Sequence, residues 1–91
     1  MLFSNDLIER IEELASLYMT VSDIAVIIGV DNNVLREELA NEDSPAAKAY
    51  LRGKIKSKLE LRRQEIQLAK VGSPLALQNC RDALIEMEED E

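Results

Sequence analysis

The sequence contains no histidine and no tryptophan, and it has a single cysteine. Without histidine, catalysis that depends on an imidazole base is excluded. One cysteine supplies too few ligands for a zinc site and cannot form an intramolecular disulfide. The sequence also lacks a loop of alternating Asp and Asn residues that would bind a hard cation. We therefore expect no metal, no cofactor and no enzymatic activity.

Aromatic residues and long apolar runs are also scarce. Aromatics make up 3% of the 91 residues, whereas hydrophobic residues make up 46%. The core is therefore expected to be aliphatic and small, so that a lone copy is only marginally stable. No apolar run approaches the roughly 20 residues of a membrane span, and no signal-peptide pattern is visible. With the lone cysteine, these features predict a cytoplasmic protein without a membrane partner.

The net charge of −7 is unevenly distributed along the chain. Residues 1–44 carry a net charge of −8, residues 45–70 carry +6, and residues 71–91 carry −5. A chain with this acidic–basic–acidic order can attract its own copies or bind a polyanion through its middle. The alternative is that these charges are only the solvated faces of ordinary helices.

Capping residues predict five helices and no strand. Pro45 and Pro74 suit the first helical position, and Gly29 and Gly72 suit helix ends. The predicted N-caps are Ser4, Thr20, Asp31, Ser44 and Ser73. The fourth helix, about 45–71, would be about 40 Å long, and its short turn to the fifth predicts an antiparallel hairpin. The predicted fold is all-α, with a head over residues 1–43, a hairpin over 44–87 that serves as an oligomerisation core, and a frayed acidic tail over 88–91.

The stretch "SDIAVIIGVDNNVLREELA", residues 22–40, predicts a tri-helical helix-turn-helix in the head. Ala25 is the small residue needed where the two helices meet, and Gly29 supplies the turn. The apolar residues that would hold the crossing are Ile24, Ile28, Val30 and Leu35. Glu38 occupies a position that is usually apolar, and we expect Leu39 to pack in its place.

Three outward residues of the third helix are candidate DNA contacts. Asn can bind adenine and Arg can bind guanine in the major groove, so we assign these roles to Asn32, Asn33 and Arg36. Affinity for DNA comes mostly from neutralising phosphates, and the head contains only two basic residues. A single head is therefore expected to bind DNA very weakly, or to serve only as a protein-interaction unit.

The long helix carries two apolar ribs when it is wound at 100° per residue. Leu51, Ile55, Leu59 and Ile66 belong to one rib, and Leu61 and Leu68 belong to the other. Leu77 and Leu84 lie on a seam of the fifth helix that can cover one rib. Because one partner covers about one such stripe, the remaining rib predicts contact with another subunit. The alternative is a monomer in which the head folds back over that rib.

Basic residues also align along the long helix, as a stripe on its outer side. The stripe consists of Arg52, Lys56, Arg63 and Lys70, with Lys48 at its margin. Such a row suits the phosphate backbone of DNA without reading its sequence. It equally suits pairing with the acidic head or tail of a neighbouring copy.

The segment "SPAAKAYLRGKIKSKLELRRQEIQLAKVGSPLAL", residues 44–77, follows the head and ends in the pattern Ala69-Lys70-x-Gly72-x-Pro74-x-Ala76. Over about residues 7–85, the chain resembles the small terminase subunits of tailed bacteriophages and prophages. The resemblance implies a non-enzymatic protein that initiates packaging of viral DNA. It would bind double-stranded DNA, assemble into a homo-oligomeric ring through the hairpin, and hand the DNA to a large ATPase–nuclease subunit.

Two other functions remain open from the sequence. One is a small transcriptional regulator or a transposition-associated DNA-binding dimer. The other is an interaction adaptor that never contacts DNA. The acidic tail can either contact the motor subunit or simply keep the protein in solution.

Overall fold

The computed structural model describes residues 3–91, and its regular structure is helical. Its helices are α1 Asn5–Ser16, α2 Val21–Ile28, α3 Asn32–Ala40, α4 Pro45–Lys70 and α5 Pro74–Asp90. No strand occurs in the described residues, so the predicted all-α class is confirmed. The chain divides into two compact units, Met1–Ser57 and Lys58–Glu91, and α4 contributes to both. None of the helices within residues 3–91 is long and apolar enough to cross a membrane.

The capping signals place the helix boundaries well. Each of four predicted N-cap side chains accepts a hydrogen bond from a backbone N–H two or three residues later; these caps are Ser4, Thr20, Asp31 and Ser73. Gly29 and Gly72 have φ values of 75° and 101°, a left-handed conformation that glycine adopts without strain. The tail, residues 88–91, is predicted to be frayed, but α5 continues through it to Asp90.

The core of the first unit lies among α1, α2, α3 and the start of α4. Ile11, Ile24 and Leu35 are its largest fully buried side chains. α2 contacts both α1 and α3. Leu35 and Leu39 face inward as predicted, with Leu39 partly buried against the core. Aliphatic burial of this kind contributes roughly 1.5–3 kcal/mol for each large side chain.

α4 packs against α1 through small residues rather than through its apolar ribs. The buried positions of α4 are Ala46, Ala49, Gly53 and Ser57, which lie on one helix face. A Cβ at Gly53 would lie 2.9 Å from the Ala15 Cβ and closer still to the carbonyl oxygen of Glu12. The Ser57 hydroxyl donates a hydrogen bond to the carbonyl oxygen of Ser16. The two helices therefore approach until backbone meets backbone.

Tyr50, which lies on the same face of α4 as Leu61 and Leu68, packs partly buried against the core of the first unit. The large apolar residues of both ribs, Leu51, Ile55, Leu59, Leu61, Ile66 and Leu68, are 46–56% exposed. The head covers α4 on the small-residue face instead. Within residues 3–91, about half of the surface of each of these six residues is therefore exposed.

Glu38 connects α3 to the start of α4. Ser44 is buried, and its hydroxyl donates to the Glu38 carboxylate at 2.9 Å while accepting the Ala47 N–H at 3.2 Å. Ser44 is therefore the N-cap that the sequence predicts for α4. Glu38 stands at a helix position that is usually apolar, and its carboxylate accepts this hydrogen bond from Ser44.

The second unit, residues 58–91, has very little core. Ala76 is its only buried hydrophobic residue. Three hydrogen bonds join its part of α4 to α5: Glu86 accepts from Lys58 and Arg62, and Glu65 accepts from Asn79. Leu77 and Leu84 of the predicted seam are exposed, and Cys80 is half-buried.

Tyr18 follows the C-cap of α1 and has a backbone conformation that usually favours glycine. Its φ is 67°, and it is the one non-glycine residue with positive φ in residues 3–91. The Tyr18 N–H donates to Ala15 and the Met19 N–H donates to Leu14, which is the hydrogen-bond pattern of a Schellman cap. The left-handed region costs an L-residue roughly 1–2 kcal/mol.

We predict that Tyr18→Gly stabilises the protein by about 1 kcal/mol, because glycine removes the steric cost of the left-handed conformation. Chemical denaturation with matched proteins measures the difference. Leu17→Gly is the control, since Leu17 has a φ of −97° and gains no such relief. An unchanged or lower stability of Tyr18→Gly would show that contacts of the tyrosine ring outweigh the backbone strain.

Candidate nucleic-acid interface

The predicted base-contacting residues of α3 are exposed, and two of them bind each other. Asn32, Asn33 and Arg36 all face solvent. Arg36 Nε donates to Asn32 Oδ1 at 3.1 Å, and Arg36 Nη2 donates to the Ser22 hydroxyl at 3.0 Å. These two hydrogen bonds fix the guanidinium between the start of α2 and the start of α3.

Because of the hydrogen bond to Arg36, the side chains of Asn32 and Asn33 are not equally free to bind a base. Recognition of adenine by an asparagine uses both its carbonyl oxygen and its amino group. Asn32 already uses its oxygen to orient Arg36. The Asn33 side chain makes no hydrogen bond within the described residues and is the better candidate for a base contact.

In the first unit, part of the basic stripe is paired within the chain. Arg52 Nε donates to Glu12 Oε1 at 2.7 Å, and Lys56 Nζ forms an ion pair with Glu12 Oε2. A hydrogen bond from Lys56, and to a smaller extent one from Arg52, holds the pKa of Glu12 below its ordinary value. The sequence suggests pairing of the basic stripe with the acidic head of a neighbouring copy. In the structure, Arg52 and Lys56 pair with the head of their own chain. Lys48, at the margin of the stripe, is exposed.

In the second unit, the remaining stripe residues are open. Arg63 and Lys70 lie seven residues apart on α4, so they share a face, and both are exposed. Neither forms an ion pair within residues 3–91. Lys58 and Arg62 are different, since they pair with Glu86 at 3.3 and 3.5 Å. A hydrogen bond from Lys58 is the main reason that the pKa of Glu86 is lowered.

An open groove runs along the second unit between α4 and α5. It has a volume of about 870 Å³, and its apolar lining includes Ile66, Ala83, Leu84 and Met87. Its charged lining consists of Lys58, Arg62, Glu65, Glu86, Glu89 and Asp90. No group of three potential metal ligands occurs in the part of the chain that the structure describes. The groove is therefore a largely apolar surface with charged residues of both signs in its lining.

Two residues of this interface were not predicted from the sequence. Glu12 is 40 residues away from Arg52, and Ser22 is 14 residues away from Arg36. No local pattern marks either contact, because both depend on how the helices pack. The surplus of acidic residues in the head was the one available signal, and it did not single out Glu12.

We predict that Glu12→Gln lowers the free energy of unfolding by roughly 0.5–1 kcal/mol at neutral pH, because two partly exposed ion pairs are lost. The pKa of Glu12 is lowered in the folded state, so its stabilisation is present above the ordinary carboxyl pKa of 4.5. It is lost as the pH falls through the lowered value, and the two proteins should then converge.

Denaturant unfolding at pH 7 and at a series of values below 4.5 measures this convergence. Glu13→Gln is the control, because Glu13 is exposed and has no ion pair within residues 3–91. A difference between Glu12→Gln and the natural protein that persists unchanged in acid would rule out the ion pairs as its source.

No protein-family model, curated protein or solved structure matches the chain.

Proposed function

We propose that the protein is a non-enzymatic DNA-binding protein that acts as an assembly of several copies, in the manner of a small terminase subunit. The observation that carries this proposal is the lack of a core in the second unit, which is small and displays large apolar side chains. Each copy would contribute one weakly binding head, and the assembly would supply the affinity.

The size and surface of the second unit favour self-association. Units below about 40 residues usually need a disulfide, a metal or oligomerisation to be stable. Residues 58–91 contain a single cysteine and no metal-binding cluster, and they bury only Ala76. Exposed large apolar residues of this unit are Leu59, Leu61, Ile66, Leu68, Val71, Leu75, Leu77, Leu84, Ile85 and Met87.

Charge complementarity supports a second copy as the occupant of the groove. The α4 part of this unit carries four basic residues, whereas residues 86–91, the end of α5 and its C-cap, include five acidic residues. If α4 of one copy packs against α5 of the next, opposite charges face each other at the rim of an apolar interface. Hydrogen bonds between Glu65 and Asn79 and between Lys58 and Glu86 support the antiparallel hairpin that such an interface needs.

The first unit supports a helix-turn-helix head. α2 and α3 contact each other around Ile24, Ala25 and Leu35, and Gly29 turns the chain between them. Asn33 and Arg36 are then displayed on the outer side of α3, where a recognition helix carries its base contacts. The acidic surroundings keep a single head weak, so several linked heads are needed to raise the effective concentration.

The remaining parts of the proposal derive from the resemblance to small terminase subunits. In this function the assembly is a ring, and its partner is the large ATPase–nuclease subunit that receives the DNA. The helical acidic end of α5 offers a surface to a basic partner, by an attraction that salt screens.

We predict that replacing both Leu59 and Ile66 with Asp dissolves the assembly, because buried unpaired charges would replace apolar contacts. The natural chain, with a monomer mass of 10.3 kDa, should elute at several times that mass. Light scattering during size-exclusion chromatography measures both proteins.

The matched control replaces Gln64 and Gln67 with Asp, which adds the same charge to exposed positions of α4 outside the ribs. This control should remain assembled. A monomeric mass for the natural protein at tens of micromolar would contradict self-association.

We predict that the assembled protein binds duplex DNA with steep salt dependence, and that replacing Arg63 and Lys70 with Gln weakens it. The slope of log affinity against log salt should fall by about 1 for each lost phosphate contact. Fluorescence anisotropy with a labelled duplex at several salt concentrations measures the slope.

The control for this pair replaces Arg10 and Arg81 with Gln, which removes the same charge from α1 and α5. Its slope should change less. If assembled protein binds no DNA at any salt concentration, the adaptor function is favoured instead.

A further inference from the structure

Glu12 lies between two cations of the basic stripe and engages both. Its Oε1 accepts from Arg52 Nε at 2.7 Å, and its Oε2 is paired with Lys56 Nζ. The Glu12 side chain is 21% exposed, whereas those of Arg52 and Lys56 are 55% and 59% exposed. The anion is therefore the sheltered member of the cluster, and the two cations extend towards solvent.

The packing of α1 on α4 fixes the position of this carboxylate. The Glu12 backbone carbonyl lies directly against Gly53, which is adjacent to Arg52 and three residues before Lys56. Four residues later on each helix, the Ser57 hydroxyl binds the Ser16 carbonyl. These two contacts to the α1 main chain, at Glu12 itself and one turn later at Ser16, hold Glu12 beside the two cations.

The two cations have the geometry of a phosphate site. Arg52 and Lys56 are one helical turn apart, so both side chains project from the same face of α4. Glu12 occupies the Nε edge of Arg52, and the terminal nitrogens of the guanidinium make no hydrogen bond within residues 3–91. A guanidinium edge and an ammonium group together are typical ligands for a phosphate of the DNA backbone.

We propose that Arg52 and Lys56 form a binding site for a DNA backbone phosphate, and that Glu12 occupies this site in the free protein until the phosphate displaces it. This proposal rests on the proposed DNA-binding function and identifies one of its phosphate contacts and an internal competitor for that contact. The carboxylate imitates the charge of the phosphate, so DNA must exchange one anion for another.

The lowered pKa of Glu12 is consistent with this role. Because hydrogen bonds from Lys56 and Arg52 favour its ionised form, Glu12 remains an anion throughout the neutral range. A competing carboxylate of this kind weakens non-specific binding without blocking it. Only a ligand that offers several phosphates to several copies at once can readily overcome the competition.

The test compares Glu12→Gln with Glu13→Gln in the full-length protein, by anisotropy of a labelled duplex over a range of salt concentrations. Both variants remove one negative charge from α1, but only Glu12 contacts the two cations. Glu12→Gln should bind DNA a few-fold to roughly tenfold more tightly than Glu13→Gln at low salt. Its salt slope should stay close to that of Glu13→Gln, because Arg52 and Lys56 contact phosphate in both complexes and only the competing anion is removed.

Glu12→Asp separates position from charge. Aspartate keeps the negative charge but is one methylene shorter, so it cannot reach both cations from the same backbone position. It should bind DNA more tightly than the natural protein although the net charge is unchanged. Thermal unfolding and light scattering establish that each variant is folded and assembled.

Three outcomes would overturn the proposal. If Glu12→Gln binds no better than Glu13→Gln, Glu12 is not a competitor. If Glu12→Gln and Glu12→Asp both bind more weakly than the natural protein, Glu12 orients the cations for DNA instead of blocking them. If the natural protein and all the variants bind no DNA, the proposed function fails, and this site fails with it.

Discussion

The close contact between α1 and α4 at Gly53 is the constraint on which the first unit depends. Only a residue without a side chain allows the two backbones to approach this closely. Because they do, Ala46, Ala49 and Ser57 are buried along the same face, and the α1 carboxylate reaches the α4 cations. In this part of α4 the large apolar residues Leu51 and Ile55 lie on another face and are exposed. Packing and charge pairing thus share one cause.

The two units place their aliphatic residues differently. The first unit gathers its aliphatic residues around Ile11, Ile24 and Leu35 and has a core of its own. The second unit keeps its aliphatic residues on the surface, which is costly for an isolated chain and suitable for an assembly. If copies associate through this unit, folding and association are coupled in it, so that its stability depends on protein concentration.

The sequence predicted what depends on neighbouring residues and missed what depends on packing. The helix starts followed from local hydrogen bonds, as at Thr20 and Ser73, and the inward face of α3 followed from the spacing of Leu35 and Leu39. The buried face of α4 was missed because small residues give little hydrophobic signal, and a glycine in a helix is usually a weak point rather than a contact. The contact of Arg36 with Ser22 and that of Arg52 with Glu12 were missed because these partners lie far away in the chain.

The hydroxyl of Ser44 has a consequence for how the head opens. It joins the Glu38 carboxylate of α3 to the first-turn N–H of Ala47 in α4, and it is buried. Unwinding the end of α3 therefore exposes the first turn of α4, and unwinding that turn leaves a carboxylate without its donor. The end of α3 and the beginning of α4 form one cooperative opening unit, whose amide protons exchange with solvent through a common event.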